Sequence, residues 1–574
     1  RLLSFSVAEL FPNMQPHVVA ELDRRDLDAL FDAQLAHQPE QLCVNATRDF
    51  ILRQVYEVAP ELIKTPSDLL RVLLRRHYSG RVFPLSLDEH LLRLLRTSGR
   101  WTKWPLDQIV PNRASFLEFL QERWPFFLKR RLSTEANRVA ETTEPYGLRL
   151  PGPTDLPFDH DDVRVYIDNL FVDGLLLPTN AVSKASVEGA WYAVGVTGDD
   201  ASDKIARVLK LVERLSSEFP DDSGDHQQWL QAAQRLGEAL ALRWSLSSAL
   251  PEPTRDAFDL VHNRLEAAFD GWLRVHYAAL SSLAPWPRPV MVHHVPRFLA
   301  HGISPATSVK RALVVVDGLA LDQWCALRQE CPSRRWSTDE GALFAWVPTL
   351  TSVSRQAIFA GDPPFYFAPS IATTSKEENH WTRFWEDQGL KKAEVAYLCQ
   401  KSQEEDDAYL ERVREKVEQP RCRVLGMVVG TIDQMLHGVV TGTDGLHASV
   451  RHWAQRGALA KLIDLLVDCG FEVSLTADHG NVEGQGLGKP NVGATAEQRG
   501  ERVHVFRDEL TRSSIARQYP GTISWQNIGL PQDYLPLIAP DRRAFIPEGK
   551  RTVAHGGACI EEIIVPFVQI VRTT

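Results

Sequence analysis

The 574-residue chain has no Cys-x-x-Cys pair, no apolar run of membrane length and no excess of basic charge. Each absence closes a class. The seven cysteines, Cys43, Cys325, Cys331, Cys399, Cys422, Cys469 and Cys559, are scattered and odd in number. A disulfide scaffold is therefore not expected, and a reduced cytoplasmic compartment is. No segment approaches the ~20 apolar residues of a bilayer span, and no signal-like segment opens the chain. The chain starts at Arg1 rather than at methionine, so we expect residues of the natural protein to precede it. A net charge of −10 excludes a broad basic nucleic-acid surface and leaves only a local basic groove open. No G-x-S-x-G elbow occurs, which argues against an α/β serine hydrolase. Gly484–Pro490 imitates a phosphate-binding loop but lacks its first glycine and has Pro490 where Ser or Thr would meet magnesium. It reads as a mobile loop beside Asp478-His479.

The residues that are present read as three regions. Residues 1–150 are mainly helical, with apolar clusters at Leu69–Leu74 and Leu91–Leu95. Thr65-Pro66-Ser67-Asp68 predicts a helix start with Thr65 as N-cap and Pro66 in the first turn. Residues 151–308 begin with the Pro-rich linker that spans about 140–162. A short strand is expected at Val163, Val165 and Ile167, then a bundle of three helices between about 201 and 283. Pro285-Trp286-Pro287-Arg288-Pro289 breaks the chain, and His293-His294 after it read as solvated. In residues 309–574 short β-rich runs alternate with helix-like segments, the signature of βαβ units and a mostly parallel sheet.

Three apolar runs in that last region end in metal-ligand residues. Leu313–Val316 ends in Asp317-Gly318. Val424–Gly430 is followed by Asp433 and His437. Val473–Thr476 leads into Asp478-His479-Gly480, and His555-Gly556-Gly557 comes late in the chain. Ligands of open α/β sheets bind beyond the carboxyl ends of the strands, so acids and histidines placed there point to a catalytic metal site. Singly, each has an ordinary reading: Asp317 can cap a helix, and Thr351 can be a helix N-cap. Asp433 and His437, spaced i, i+4 on a helix, share a face and offer one metal mixed ligands. The glycines after His555 leave room for a substrate. Thr351 opens a helix-like stretch through Ser352, Ser354 and Arg355, where backbone N–H groups suit a phosphate. Its alkoxide needs a metal or base.

The ordered set D-G, P-T-x-T, D-x-x-x-H, D-H-G and H-G-G resembles the alkaline phosphatase superfamily, nearest its nucleotide pyrophosphatase/phosphodiesterase branch. Pro348–Gly361, and Ala554-His555-Gly556-Gly557 followed by Glu561–Pro566, resemble the PglZ domain of BREX bacteriophage-exclusion systems. The resemblance covers roughly residues 311–574. It implies an α/β alkaline phosphatase-like C-terminal domain behind a mainly helical N-terminal region. It also implies two divalent metal ions, one held by Asp317, Thr351, Asp478 and His479, the other by Asp433, His437 and His555. Zinc is the first choice and manganese the alternative. Thr351 would be the catalytic nucleophile, with Ser354 or Ser352 as substitutes and Arg355 meeting the phosphate. One departure stands out: the diesterase branch reads T-F-P-N from its nucleophile, whereas Thr351 is followed by Ser352-Val353-Ser354-Arg355, and the first downstream asparagine is Asn379.

The expected function is a metal-dependent phosphoesterase of phage defence, a phosphodiesterase rather than a monoesterase. Its expected partners are a phosphate ester, of nucleic-acid or nucleotide type, and other BREX proteins, with no membrane. Arg355 and Lys489 would line a local positive mouth that offsets the net charge. Two rivals stand beside it. One is a non-enzymatic scaffold or interaction protein with a structural metal site. The other is a phosphonate or phosphoglycerate-type enzyme on the same scaffold.

Overall fold

The computed structural model describes residues 6–78, 83–132, 148–187, 189–198, 201–220, 224–304, 307–330, 335–438, 442–490 and 500–572. Cys331 and part of the expected linker lie outside them. The chain divides into two compact units, Arg1–Asp199 and Asp200–Thr574. The expected boundaries at 150 and 308 do not coincide with this division. Residues after 150 share the first unit's apolar core, and the three helices between 201 and 280 belong to the second unit.

The first unit is helical. Its Pro66–Tyr78 helix starts as the residues dictate: Thr65 Oγ1 accepts from the Asp68 N–H (3.2 Å), and the Asp68 carboxylate accepts from the Thr65 N–H (2.9 Å). Trp124, Phe127, Phe158 and Phe171 form a buried aromatic cluster. The strand expected at Val163–Ile167 is instead part of the Asp161–Val172 helix. Val163, Ile167 and Leu170 are buried while Val165 is 63% exposed, so the burial follows a helical period and the alternation is local accident.

The second unit is organised by a six-stranded sheet in the order β2-β12-β5-β1-β4-β3. Its strands are β1 (Lys310–Val316), β2 (Trp336–Phe344), β3 (Val395–Cys399), β4 (Val424–Val429), β5 (Phe471–Thr476) and β12 (Ile564–Arg572). β1 runs parallel to β4 and β5, β3 runs parallel to β4, and β12 is antiparallel to both neighbours. The central strands are buried on both faces, which is why β1 and β4 read as unbroken apolar runs. Each fully buried Val or Leu there contributes roughly 1.5–3 kcal/mol. Two three-stranded sheets lie outside this one: β10 (Arg543–Ala544), β6 (Val482–Gly486) and β11 (Arg551–Ala554), and β7 (Val503–Phe506), β9 (Leu535–Ile538) and β8 (Ile523–Ser524). Gly484–Gly486 is therefore strand, and Leu487 and Gly488 bond to Ala544 and Ile546, so this segment is not the free loop its glycines suggest. Among the described residues no helix is long and apolar enough to cross a membrane.

The helices Ala201–Ser217, His226–Leu246 and Glu252–Leu280 are tied to the sheet by buried polar groups. Glu238, 2% exposed, pairs with Arg207 and with Arg328, which also pairs with Glu340 of β2. Tyr277 donates its hydroxyl to Ala345 O (3.1 Å) and accepts from the Val347 N–H (2.8 Å), fixing the segment that precedes Thr351. His293 and His294 are buried rather than solvated. His293 packs on Trp346, and His294 Nδ1 accepts from the Met291 N–H (3.2 Å).

A third tie joins the Glu252–Leu280 helix to the Ile560–Ile563 turn. His262, Glu266 and Glu561 converge within 4.8 Å of one another. The Arg542 guanidinium reaches both His262 Nε2 (2.9 Å) and Glu561, so this cluster already holds a cation. Burial, and then the charge of Glu561, push the Glu266 carboxyl up to about 8. Folding thus takes up a proton at neutral pH. The stabilisation is complete below pH ~4.5, is lost as pH rises to about 8, and is flat above. The melting temperature of the protein relative to its Glu266→Gln variant is expected to fall between pH 5 and 8; a constant difference across that range refutes the assignment.

Candidate metal centre and nucleophile

The strand ends deliver their residues to one edge of the sheet. Asp317 follows β1, with its N–H on Val429 O of β4 (2.9 Å). Gly318 takes φ +74°, and an added Cβ would meet Leu436 at 2.9 Å, so glycine is required for this turn. Asp478 and His479 follow β5. Because β12 runs antiparallel, the segment His555–Glu562 before it returns to the same edge. Thr351 is the first residue of the Thr351–Ala360 helix, after β2.

Two groups of ligand-type atoms form there, each within 4.8 Å: Asp317, Asp478 and His479, and Asp433, His437 and His555. The His479 and His555 rings stack with centroids 4.1 Å apart, so the groups are adjacent. Asp433 Oδ1 lies 3.3 Å from His437 Nε2 at their i, i+4 spacing on the Thr431–Gly438 helix. Thr351 Oγ1 lies 3.0 Å from His479 Nε2. All seven residues singled out as metal ligands thus fall at one place.

The two buried aspartates are divided alike. Asp478 Oδ1 accepts from the Gly318 and His479 N–H groups (both 3.1 Å), while Oδ2 is buried without a partner. Asp317 Oδ2 accepts from Arg355, while Oδ1 is buried without a partner. Unpaired buried carboxylate oxygens are costly. Burial, and then repulsion by Asp317, hold the Asp478 carboxyl well above its usual range. The histidines are oriented the same way. His479 Nδ1 lies 3.0 Å from Gly480 O and His555 Nδ1 lies 2.9 Å from Thr349 O. A carbonyl only accepts, so Nδ1 carries the proton in each, and the Nε2 lone pair faces the site. Burial, and then His479, hold His555 down at about 4, so it stays neutral. Among the described residues, three carboxyl groups, Asp317, Asp478 and Glu377, stand against the guanidinium of Arg355. Orphaned oxygens and an imidazole nitrogen that faces them with a hydroxyl beside it fit a divalent cation in the first group. The Asp433, His437 and His555 donors fit a second.

Other residues sit elsewhere than the sequence suggests. Arg355 is 6% exposed and bound by Asp317 and Glu377, so it lines no open mouth. Its charge is secured by these carboxylates against the opposing effect of burial. Ser354 is fully buried, and its Oγ clasps the Trp346 main chain, accepting from N–H at 3.0 Å. It shapes the approach to Thr351 and is not poised for attack. Asn379 is exposed on the Glu377–Asp387 helix. The glycines after His555 do not open a substrate space: a Cβ on Gly557 would lie 2.5 Å from Glu562 Oε2 and 2.6 Å from Arg502 Nε.

Sequence reasoning missed the supports. Thr349 Oγ1 donates to Gly557 O and accepts from the Gly556 N–H (both 2.9 Å), clamping the His555 segment. Glu562 accepts from the Gly557 N–H (2.8 Å), the Cys559 N–H (3.1 Å) and Arg502 Nε (3.0 Å). Asn481 donates to Gly318 O (2.8 Å) and holds the turn after Asp317. Buried polar residues beside ligand motifs were the available signal.

Residues 298–570 match the family model described as the BREX system PglZ alkaline phosphatase-like domain. Similar solved structures include murine ectonucleotide pyrophosphatase/phosphodiesterase 5, at 11% identity over 45% of this chain and 87% of that one, with a TM-score of 0.34. The human ectonucleotide pyrophosphatase/phosphodiesterase 5 shows 10% identity over 46% and 87%, TM-score 0.33. Phosphonoacetate hydrolase from Sinorhizobium meliloti 1021 shows 13% over 46% and 90%, TM-score 0.31. No curated protein matches the chain. The fold of the C-terminal region is alkaline phosphatase-like, with a helical region before it.

The two groups predict separable losses. Asp478→Asn and Asp433→Asn are each expected to abolish about one bound divalent cation per chain and leave the other. Metal analysis of dialysed protein checks this. Unchanged content in both variants refutes the assignment.

Proposed function

Because residues 298–570 carry a PglZ alkaline phosphatase-like domain, we propose that the protein is a metal-dependent phosphoesterase with Thr351 as nucleophile. The observation that carries this reading is the Thr351 hydroxyl, at a helix start and 3.0 Å from His479 Nε2. It lies beside two carboxylates that each present one unpaired oxygen. Asp317, Asp478 and His479, with Thr351, would hold one divalent ion, and Asp433, His437 and His555 the other. When bound, such ions act as Lewis acids toward phosphoryl oxygens and favour the deprotonated forms of hydroxyl and water. The nitrogen donors make zinc the first choice and manganese the second.

The residues themselves supply position and charge. The N–H groups of Val353 and Ser354 turn back to Leu350 O, so those of Thr351 and Ser352 open the helix toward a phosphoryl oxygen. Thr351 Oγ1 forms the bond to phosphorus and loses its proton. The ester P–O bond breaks and the leaving oxygen is protonated. Water then cleaves the phosphothreonine and restores the hydroxyl, releasing the phosphate product.

The commitment of Arg355 to Asp317 and Glu377 favours a diester. A monoester brings about two negative charges and Arg355 is not free to meet the second, whereas a diester brings one. A defence role alongside other BREX proteins, in the cytoplasm, and a nucleic-acid or nucleotide substrate belong to the same reading. With a net charge of −10 and Arg355 buried, binding to DNA should be weak and salt-sensitive.

Thr351→Ala is expected to lower turnover roughly 10³-fold or more while the protein stays folded, and Thr351→Ser to keep partial activity. Wild-type turnover in Thr351→Ala would move the nucleophile elsewhere. Chelation should abolish activity, and an aryl phosphodiester should be cleaved in preference to the monoester. A monoester preference of about tenfold or more in kcat/KM reverses the diester assignment.

A further inference from the structure

We propose that Arg355, Glu377 and Tyr397 form a positioning relay that fixes Asp317 with one oxygen held by protein and the other presented to a cation. The inference rests on the metal-dependent reading above and gives Arg355 a different task from meeting phosphate.

The relay runs through three elements. Arg355 sits four residues after Thr351 on the same helix, so both project from one face toward the end of β1. Its Nη1 binds Asp317 Oδ2, and its Nε donates to Glu377 Oε1 (2.9 Å). Glu377, 1% exposed, opens the Glu377–Asp387 helix, and its Oε2 accepts the Tyr397 hydroxyl of β3 (2.5 Å). Both carboxylate oxygens of Glu377 are thus occupied, and the guanidinium is gripped on two edges. Asp317 can turn neither toward solvent nor toward a bidentate pose, because Oδ2 is spoken for and only Oδ1 faces His479 and Asp478.

A guanidinium beside a cation site is electrostatically unfavourable for that cation. A charge effect and a positioning effect therefore predict opposite signs. If Arg355 acted only through its charge, Arg355→Met would tighten cation binding. If it holds Asp317 in place, the same substitution loosens it. Lysine would keep the charge but could not bridge two carboxylates with a planar fork.

The test is calorimetric titration of the full chain with Mn²⁺, first stripped with chelator. Wild type is expected to bind two ions. Arg355→Met and Tyr397→Phe are expected to weaken one of them roughly ten- to a hundredfold and leave the other unchanged. Arg355→Lys should not restore it. Tyr397→Phe removes one hydroxyl and no charge, so it decides the matter if Arg355→Met fails to fold. Its lost activity should return when Mn²⁺ is raised by the factor of the lost affinity, with KM for substrate unchanged. Binding that is unaltered or tighter in the folded variants overturns the relay. A KM increase without loss of cation affinity overturns it too and returns Arg355 to the phosphate. Absence of Mn²⁺ and Zn²⁺ binding by wild type overturns the metal reading itself.

Discussion

Two aspartates, Asp317 and Asp478, are buried side by side at the ends of neighbouring strands, and one guanidinium stands with them. Like charges out of water repel strongly, and neither carboxylate has all its oxygens satisfied by the protein. The surrounding architecture makes sense as the means of forcing this arrangement. The strands β1 and β5 are locked in register, so Val315 and Thr476 are paired and the two acids emerge at the same level. Backbone N–H groups of Gly318 and His479 fix one oxygen of Asp478, and Arg355 fixes one of Asp317. The remaining pair of oxygens is left without protein donors, with a histidine lone pair beside them.

The antiparallel β12 is the strand that completes the site. A parallel strand brings to the shared edge only the residues after its carboxyl end. A strand entering from that edge brings the residues before its first position. His555 and Glu562 arrive in this way, and Thr349 and Arg502 from other segments hold them there. The long Glu252–Leu280 helix contributes from behind through Tyr277, which holds the main chain ahead of Thr351. The helices that the sequence sets apart from the strand-end region are part of its scaffold.

The elements that could be read from sequence were those with local causes. β1 and β4 announce themselves as apolar runs because they are buried on both faces, while β5, which also buries Ser474 and Thr476, is marked by the ligand residues directly after it. The start of the Pro66–Tyr78 helix was legible because capping is a contact over three residues. The misreadings have tertiary causes. Val163–Ile167 looks alternating, yet burial selects the helical face. His293-His294 look solvated after a proline-rich break, yet they are buried, with His293 against Trp346. Arg355 looks free to meet phosphate, because its partners lie 38 residues before it and 22 after it. Spacing along a chain does not show which charges have been spent on one another.

The second unit solves the same problem twice, with different outcomes. At the sheet edge, Asp317, Asp478 and Glu377 outnumber Arg355, and the imidazole lone pair of His479 faces inward with only a hydroxyl in front of it. Between the Glu252–Leu280 helix and the turn at Ile560, Glu266 and Glu561 outnumber Arg542, and His262 Nε2 lies 2.9 Å from that guanidinium and 3.1 Å from Glu561 Oε1. The deficit there is one positive charge, which a proton on Glu266 meets, consistent with a carboxyl pushed up to about 8. At the sheet edge three carboxyl groups face one guanidinium among the described residues, and the two unpaired aspartate oxygens lie beside an imidazole nitrogen. The cluster around Glu266 keeps a proton, and the role proposed for the sheet edge is to accept a divalent ion. The difference lies in what meets the nitrogen: a guanidinium at His262, a hydroxyl at His479.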